Sequence, residues 1–368
     1  MTSSFAQGIG WRRKTAVAFG PMLAGWMMLL MVLPAAAETP AGKLHGSAER
    51  LAGVKSWGYQ LQGVDPAEIA ASPYDLIVID YSRNGQDARR FTPAEVKLMQ
   101  AKPDGSRRFV IAYMSIGEAE DYRFYWTRGW VEAAPLRQSH NEAETKELPS
   151  GFETVRIPKL IAPSWLGREN ERWRGNYHVR FWYSGWHDLI MHNQDSYLSR
   201  IIAAGFDGVY LDRVDAYYAI ERDTESAKEW MVSFVAELAS LARQKKSDFI
   251  VIPQNAEELL SEQRYLAAID GVAKEDLLFG ADRDGQRNSD GTIARSSKKL
   301  ALARALGLQV LGVEYLNDPQ QIAKASEELR ARGIIPYFAP RGLDKLETST
   351  ASKESAEEGD DKEKETER

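Results

Sequence analysis

Acidic residues recur where apolar runs end. The chain reads Val78-Ile79-Asp80-Tyr81, Ile116-Gly117-Glu118, Tyr210-Leu211-Asp212 with Asp215 close behind, Lys274-Glu275-Asp276 and Val313-Glu314-Tyr315. Polar residues end two further runs, at Arg180-Phe181-Trp182 and Pro253-Gln254-Asn255. A single acid in such a place is often a helix cap or an ion-pair partner. A whole set is different, because gathering like charges costs stability and usually marks a functional site. The chemistry that needs paired carboxyls is hydrolysis of a glycosidic bond. One carboxylic acid protonates the leaving oxygen, and a second carboxylate attacks or activates water on the way through an oxocarbenium-like state. The 10 Trp and 15 Tyr add flat rings of the kind that stack on sugars.

Rival chemistries find little support. The sequence has no H-E-x-x-H, G-x-S-x-G or Walker loop. It has no cysteine, which removes disulfides, thiolate metal sites and a thiol nucleophile. The five histidines are scattered; His187, in Trp186-His187-Asp188, reads as a helix-start or wall residue rather than a ligand. Asp282-Arg283-Asp284-Gly285 departs from calcium-loop spacing and reads as a polar surface loop. No metal or cofactor is expected. With 47 basic against 53 acidic residues, the chain lacks the basic footprint of a nucleic-acid binder and favours a neutral or cationic partner.

The elements that must position these acids alternate. Strands are predicted at Trp57–Gln62, Leu76–Asp80, Phe109–Ser115, His178–Trp182, Gly208–Asp212, Phe249–Pro253, Gly271–Glu275 and Leu308–Glu314, with Ile334–Phe338 as a ninth candidate. Helices are predicted at Thr92–Ala101, Gln194–Ala204, Glu225–Lys245, Ala256–Ile269, Ser296–Leu306 and Pro319–Ala331. Apolar strands between helices imply a parallel sheet, and this number of units fits a single-domain α/β protein of the (β/α)8 TIM-like barrel type over residues 51–343. In that fold the active site lies at the C-terminal strand ends. The stretch from Trp126 to Trp173, carrying four tryptophans, is a long insertion that reads as a wall or lid, or as a surface excursion.

The ends of the chain are extras. Arg12-Arg13-Lys14, the apolar run Ala16–Leu33 and Ala35-Ala36-Ala37 form a signal peptide over 1–37. Export follows, with a membrane contact only if that segment stays uncleaved. Residues 38–50 read as a linker and 344–368 as a disordered charged tail.

Four segments in order resemble glycoside hydrolase family 114, the endo-α-1,4-polygalactosaminidase family: Trp57–Gln62, Tyr74–Tyr81, Ala112–Arg123 and Gly205–Asp212. The resemblance runs from about Trp57 to Pro340. It implies a barrel that cleaves α-1,4-linked galactosamine polymers, a polysaccharide whose free amino groups are cationic. It also implies a catalytic Asp, which falls on Asp212, and a catalytic Glu, placed at Glu275 with Glu257, Glu258 and Glu314 as alternatives. Asp212 is then nucleophile or stabilising carboxylate and Glu275 the general acid, or the reverse. Asp80, Tyr81, Glu118, Arg180, Trp182, Asp215, Asn255 and Glu314 would bind substrate. A barrel that binds carbohydrate without turnover, and a hydrolase of another envelope or biofilm glycan, are the rival readings.

Overall fold

The computed structural model describes residues 51–135, 154–219 and 224–347. The expected signal peptide, the linker and part of the tryptophan-bearing insertion lie outside them, as does all of the expected tail beyond Glu347.

Among the described residues, eight parallel strands carry the fold. β1 (Trp57–Gln60), β2 (Leu76–Ile79), β3 (Phe109–Ser115), β9 (Gly208–Asp212) and β10 (Ile250–Pro253) form one sheet in that order. β11 (Gly271–Glu275), β12 (Gln309–Glu314) and β13 (Ile335–Phe338) form a second. A parallel bridge between Gln254 and Ala273 joins the two. The strands are mostly apolar up to their ends, and β2 (Leu-Ile-Val-Ile) is fully buried, because both faces are covered. The first sheet curls so that side chains of distant strands meet inside. Tyr59 of β1 lies 5.1 Å, ring to ring, from Tyr210 of β9, and Trp57 lies 5.6 Å from Tyr337 of β13. The Trp57 indole N–H donates to the Ile335 carbonyl at 2.9 Å. Among the described residues no backbone ladder runs between β13 and β1.

Local chemistry sets the helices. In α2 (Pro93–Met99), which follows α1 (Pro66–Ala71), Thr92 caps and Glu95 reaches back to the Thr92 N–H at 2.8 Å, closing a capping box with Pro at the first position. α3 (Tyr197–Ala204) starts at a Ser196 cap and stops at Gly205, whose φ of 90° suits glycine. α4 (Thr224–Lys245), α5 (Asp290–Ala305) and α6 (Pro319–Ala331) complete the set of longer helices.

The predicted fourth strand, His178–Trp182, is not a member of the parallel set. Its place is taken by β8 (Asn176–Val179), which pairs antiparallel with β4 (Glu118–Glu120) and β7 (Leu166–Glu169). β8 buries every second residue, the period-two pattern of a half-covered antiparallel strand. The ninth candidate supplies the eighth parallel strand as β13. Consequently the whole stretch from Ile116 to Phe206 is the excursion between neighbours β3 and β9. It also holds the hairpin of β5 (Val131–Pro135) and β6 (Thr154–Pro158). Its tryptophans pack on one another: Trp126 on Trp130 at 5.4 Å, Trp130 on Trp165 at 5.6 Å and Trp165 on Trp186 at 4.9 Å. They form the interior of the excursion, while Trp173 is exposed.

At the other end, contacts to the body run to Glu347. Leu346 packs against the core, and the Tyr74 hydroxyl donates to the Glu347 carbonyl.

Candidate active site

Asp212 ends β9 and Glu275 ends β11, both at the C-terminal edge, and both remain partly exposed. The Tyr113 hydroxyl, from β3, donates to Asp212 Oδ2 at 2.7 Å. The Tyr315 hydroxyl, just past β12, donates to Glu275 Oε1 at 2.6 Å, and Gln254 Nε2 donates to Oε2 at 2.8 Å. Burial of the carboxyl pushes Asp212 up to about 7; the Tyr113 hydrogen bond and the Arg213 cation oppose this, and the charge of Glu275 adds to it. Tyr59 and Tyr210 feel both carboxylates. Burial holds these phenols, with Tyr113 and Tyr315, far above their ordinary range, so they stay protonated as donors.

Arg213 builds the adjoining cluster. Its φ of 59° is unusual for a residue with a side chain. Its backbone passes so close to Gly117 that a Cβ there would lie 2.2 Å from the Arg213 carbonyl oxygen. The guanidinium sits 3.1 Å from Glu118 and 3.4 Å from Asp215. Glu118 is buried and also accepts from Asn170 Nδ2 at 2.8 Å. Burial raises its pKa despite Arg213 and Asn170. His178 lies 3.6 Å from Glu118, yet burial and the Arg213 and Arg168 cations lower it to about 4, so it stands there neutral.

The other expected residues divide. Asn255 shapes the turn after β10: with φ of 60°, its Oδ1 accepts from Lys274 Nζ at 3.0 Å and from the Glu275 N–H at 3.1 Å. It positions Glu275 from behind. Glu314 is fully buried, and its two oxygens accept from the N–H groups of Leu278 at 2.7 Å and Phe279 at 3.0 Å. Burial nevertheless raises it to about 7. Asp80 pairs with buried Arg123 at 2.7 Å, and Arg123 also binds Glu120 at 2.5 Å. Tyr81 is buried against Tyr197.

Two residues lie with other neighbours. Arg180 is exposed and donates to the Ser164 carbonyl at 2.5 Å, and Trp182 packs at a tilt against Trp230 of α4, 5.2 Å ring to ring. Glu258 pairs with Lys299, and Glu257 lies 3.5 Å from Lys274.

Four neighbours of these acids are not among the expected site residues: Tyr113, Gln254, Tyr315 and Arg341. The signal was present in part. Side chains alternate along a strand, so Tyr315 reaches Glu275 where Glu314, one residue earlier, turns inward. Arg341 comes from beyond β13 and grips Asp276 at 3.1 Å, its guanidinium 4.1 Å above the Tyr315 ring. Asp276 is raised to about 6 by burial and by Glu275, against Arg341. A cavity of about 380 Å³ opens beside this group, lined by Tyr315, Asn317, Asp318, Gln321 and Arg341 among others.

Two strand-end carboxylates, each accepting from a tyrosine hydroxyl, stand on a mostly parallel α/β scaffold, and paired carboxyls are what glycosidic hydrolysis uses. The model of glycoside-hydrolase family GH114 matches residues 155–355, and the chain belongs to that family. A protein of Thermotoga maritima is 33% identical over 302 residues, which cover 78% of this chain and 81% of that one. A protein of Methanocaldococcus jannaschii is 35% identical over 312 residues, covering 79% and 78%. Among solved structures, the glycoside hydrolase domain of PelA from Pseudomonas aeruginosa superposes with a TM-score of 0.53 at 17% identity, over 80% of this chain and 97% of that one. At that identity the likeness speaks for the fold. The family makes this chain a glycosidase.

Proposed function

We propose that the protein is an endo-acting hydrolase of α-1,4-linked galactosamine-containing polysaccharide, with Asp212 and Glu275 as its catalytic pair at the mouth of a closed (β/α)8 barrel. The observation that carries the reading is the pair itself: two partly exposed acids at the ends of β9 and β11, each with a tyrosine hydroxyl on one oxygen. One acts as acid toward the leaving oxygen. The other stabilises or attacks the cationic sugar centre. The tyrosines fix both rotamers without supplying charge.

Substrate contacts follow from the cluster around Arg213. Asp215 offers a partly exposed acid beside Arg213, to which a polymer with free ammonium groups would be drawn, and buried Glu118 holds Arg213 from behind. Asp80, Tyr81, Asn255 and Glu314 act behind the surface, holding the strand ends in place. Arg180 and Trp182 would meet only a polymer long enough to leave the mouth along the excursion. Delivery to such a substrate fits an exported protein with a cleaved signal peptide.

The test is mutational. Asp212→Asn and Glu275→Gln are each expected to lower kcat by about a thousandfold on this polymer, with unchanged circular dichroism. Full activity in both variants would remove the pair from the mechanism.

A further inference from the structure

We propose that His187, His192 and Glu237 form a binding site for a divalent first-row cation of the zinc class, outside the carboxylate mouth. The ligands are His187 Nδ1, His192 Nε2 and the Glu237 carboxylate. These atoms lie within 4.8 Å of one another. His192 Nε2 is 2.9 Å from Glu237 Oε1, and His187 Nδ1 is 3.7 Å from Glu237 Oε2. Tetrahedral zinc with bonds near 2.1 Å spaces its ligand atoms about 3.3–3.5 Å apart, and these contacts, one to each carboxylate oxygen, lie within about half an ångström of that spacing. Three protein ligands leave a fourth position open to water, as a partly exposed site allows.

The second observation is that both imidazoles are already oriented from behind. His187 Nε2 lies 2.8 Å from the Phe181 carbonyl, which can only accept; Nε2 therefore carries the proton and Nδ1 keeps its lone pair toward Glu237. His192 Nδ1 lies 3.3 Å from Asp188 Oδ1, which likewise takes the Nδ1 proton and frees Nε2. A carbonyl behind one ligand histidine and a carboxylate behind the other is the outer-shell pattern of metal sites. Without a cation, His192 simply bridges Asp188 and Glu237 through its two nitrogens, which is the competing account.

Backbone geometry explains why spacing alone does not reveal the site. Residues five apart do not share a face of an α-helix, but Asp188–His192 forms a π turn, closed by the Asn193 N–H donating to the Asp188 carbonyl at 3.1 Å. α4 supplies the third ligand on a continuous face. Trp230 packs against Trp182, Phe234 lies flat on His187 at 4.3 Å, and Glu237 meets His192. Positions i, i+4 and i+7 of α4 thus meet the segment from Phe181 to His192. A bound cation would clamp that segment to α4.

The test uses the full chain, without a histidine tag, stripped with EDTA and titrated with Zn²⁺ by calorimetry. Co²⁺ absorption is the second probe. One equivalent is expected, with a Kd in the micromolar range or tighter and intense visible bands from a four-coordinate cobalt ion. Glu237→Gln, His192→Ala and His187→Phe, which keeps the ring on Phe234, should each weaken binding at least tenfold. At Zn²⁺ near a hundred times Kd, the folded-to-unfolded ratio of the parent should rise about a hundredfold, with little change in the variants. Two results would overturn the proposal. One is less than a fifth of an equivalent bound by the parent, which leaves only the ion pairs. The other is undiminished affinity in all three variants, which puts the metal elsewhere.

Discussion

Asp212 carries the account at the scale of single residues. Its carboxyl is pushed up to about 7, so between the ordinary carboxylate range and 7 the folded protein keeps a proton that the unfolded chain has released. The pH dependence of kcat/KM reports such free-enzyme groups and is expected to show a limb near 7. Activity that rises through 7 makes Asp212 the nucleophile; activity that falls through 7 makes it the acid. The Tyr113 hydroxyl favours the ionised carboxylate. Tyr113→Phe should therefore move that limb to higher pH in either case, and a limb that stays in place would detach Tyr113 from Asp212. Glu314 gives the converse test. Each of its oxygens accepts from a backbone N–H, and an amide has only one acceptor to offer. Glu314→Gln should cost about 1–3 kcal/mol in thermal or denaturant unfolding and leave kcat nearly unchanged. A large loss of activity at unchanged stability would make Glu314 the second acid.

At the scale of elements, the buried Arg123 joins β2 to the start of the excursion through Asp80 and Glu120. Arg123→Leu leaves two acids buried without their cation, and unfolding should then lose about 3–5 kcal/mol. A smaller loss would show that water replaces the guanidinium.

The elements were largely legible in the sequence. β3, β9, β11 and α6 fall on the residues read from apolar runs and caps, because buried parallel strands are written as continuous hydrophobic stretches. The fourth strand was misplaced for the same reason: Tyr177 and Val179 are buried, but in alternation, against an antiparallel partner. Ala256–Ile269 was read as one helix and is two short turns, Glu257–Ser261 and Gln263–Leu266, begun by Ala256 at a φ of 54°. Strand ends place Asp212 and Glu275 in a larger set of acids; the family resemblance singles out Asp212 and sets Glu275 beside Glu257, Glu258 and Glu314. The partners of Asp212 and Glu275 could not be read. Tyr113, Gln254, Tyr315 and Arg341 lie on other strands or loops, and only the curl of the sheet brings them to the acids.

For the molecule as a whole, the balance of 47 basic to 53 acidic residues and the acids at the mouth bear on the choice of polymer. Attraction between such a protein and an ammonium-bearing chain is screened by salt. On deacetylated polymer, kcat/KM should fall at least about threefold between about 0.05 and 0.5 M salt, and on fully acetylated polymer it should hardly change. Equal salt dependence on both would separate charge from recognition.

The most direct measurement is the release of soluble oligosaccharides and new reducing ends from partly deacetylated α-1,4-galactosamine polymer, beside a panel of other exported polysaccharides. Internal cleavage of the galactosamine polymer is expected, with its loss in Asp212→Asn. Polymer retained by the protein with no new ends in any member of the panel would contradict this reading, and would describe a protein that binds glycan without cutting it.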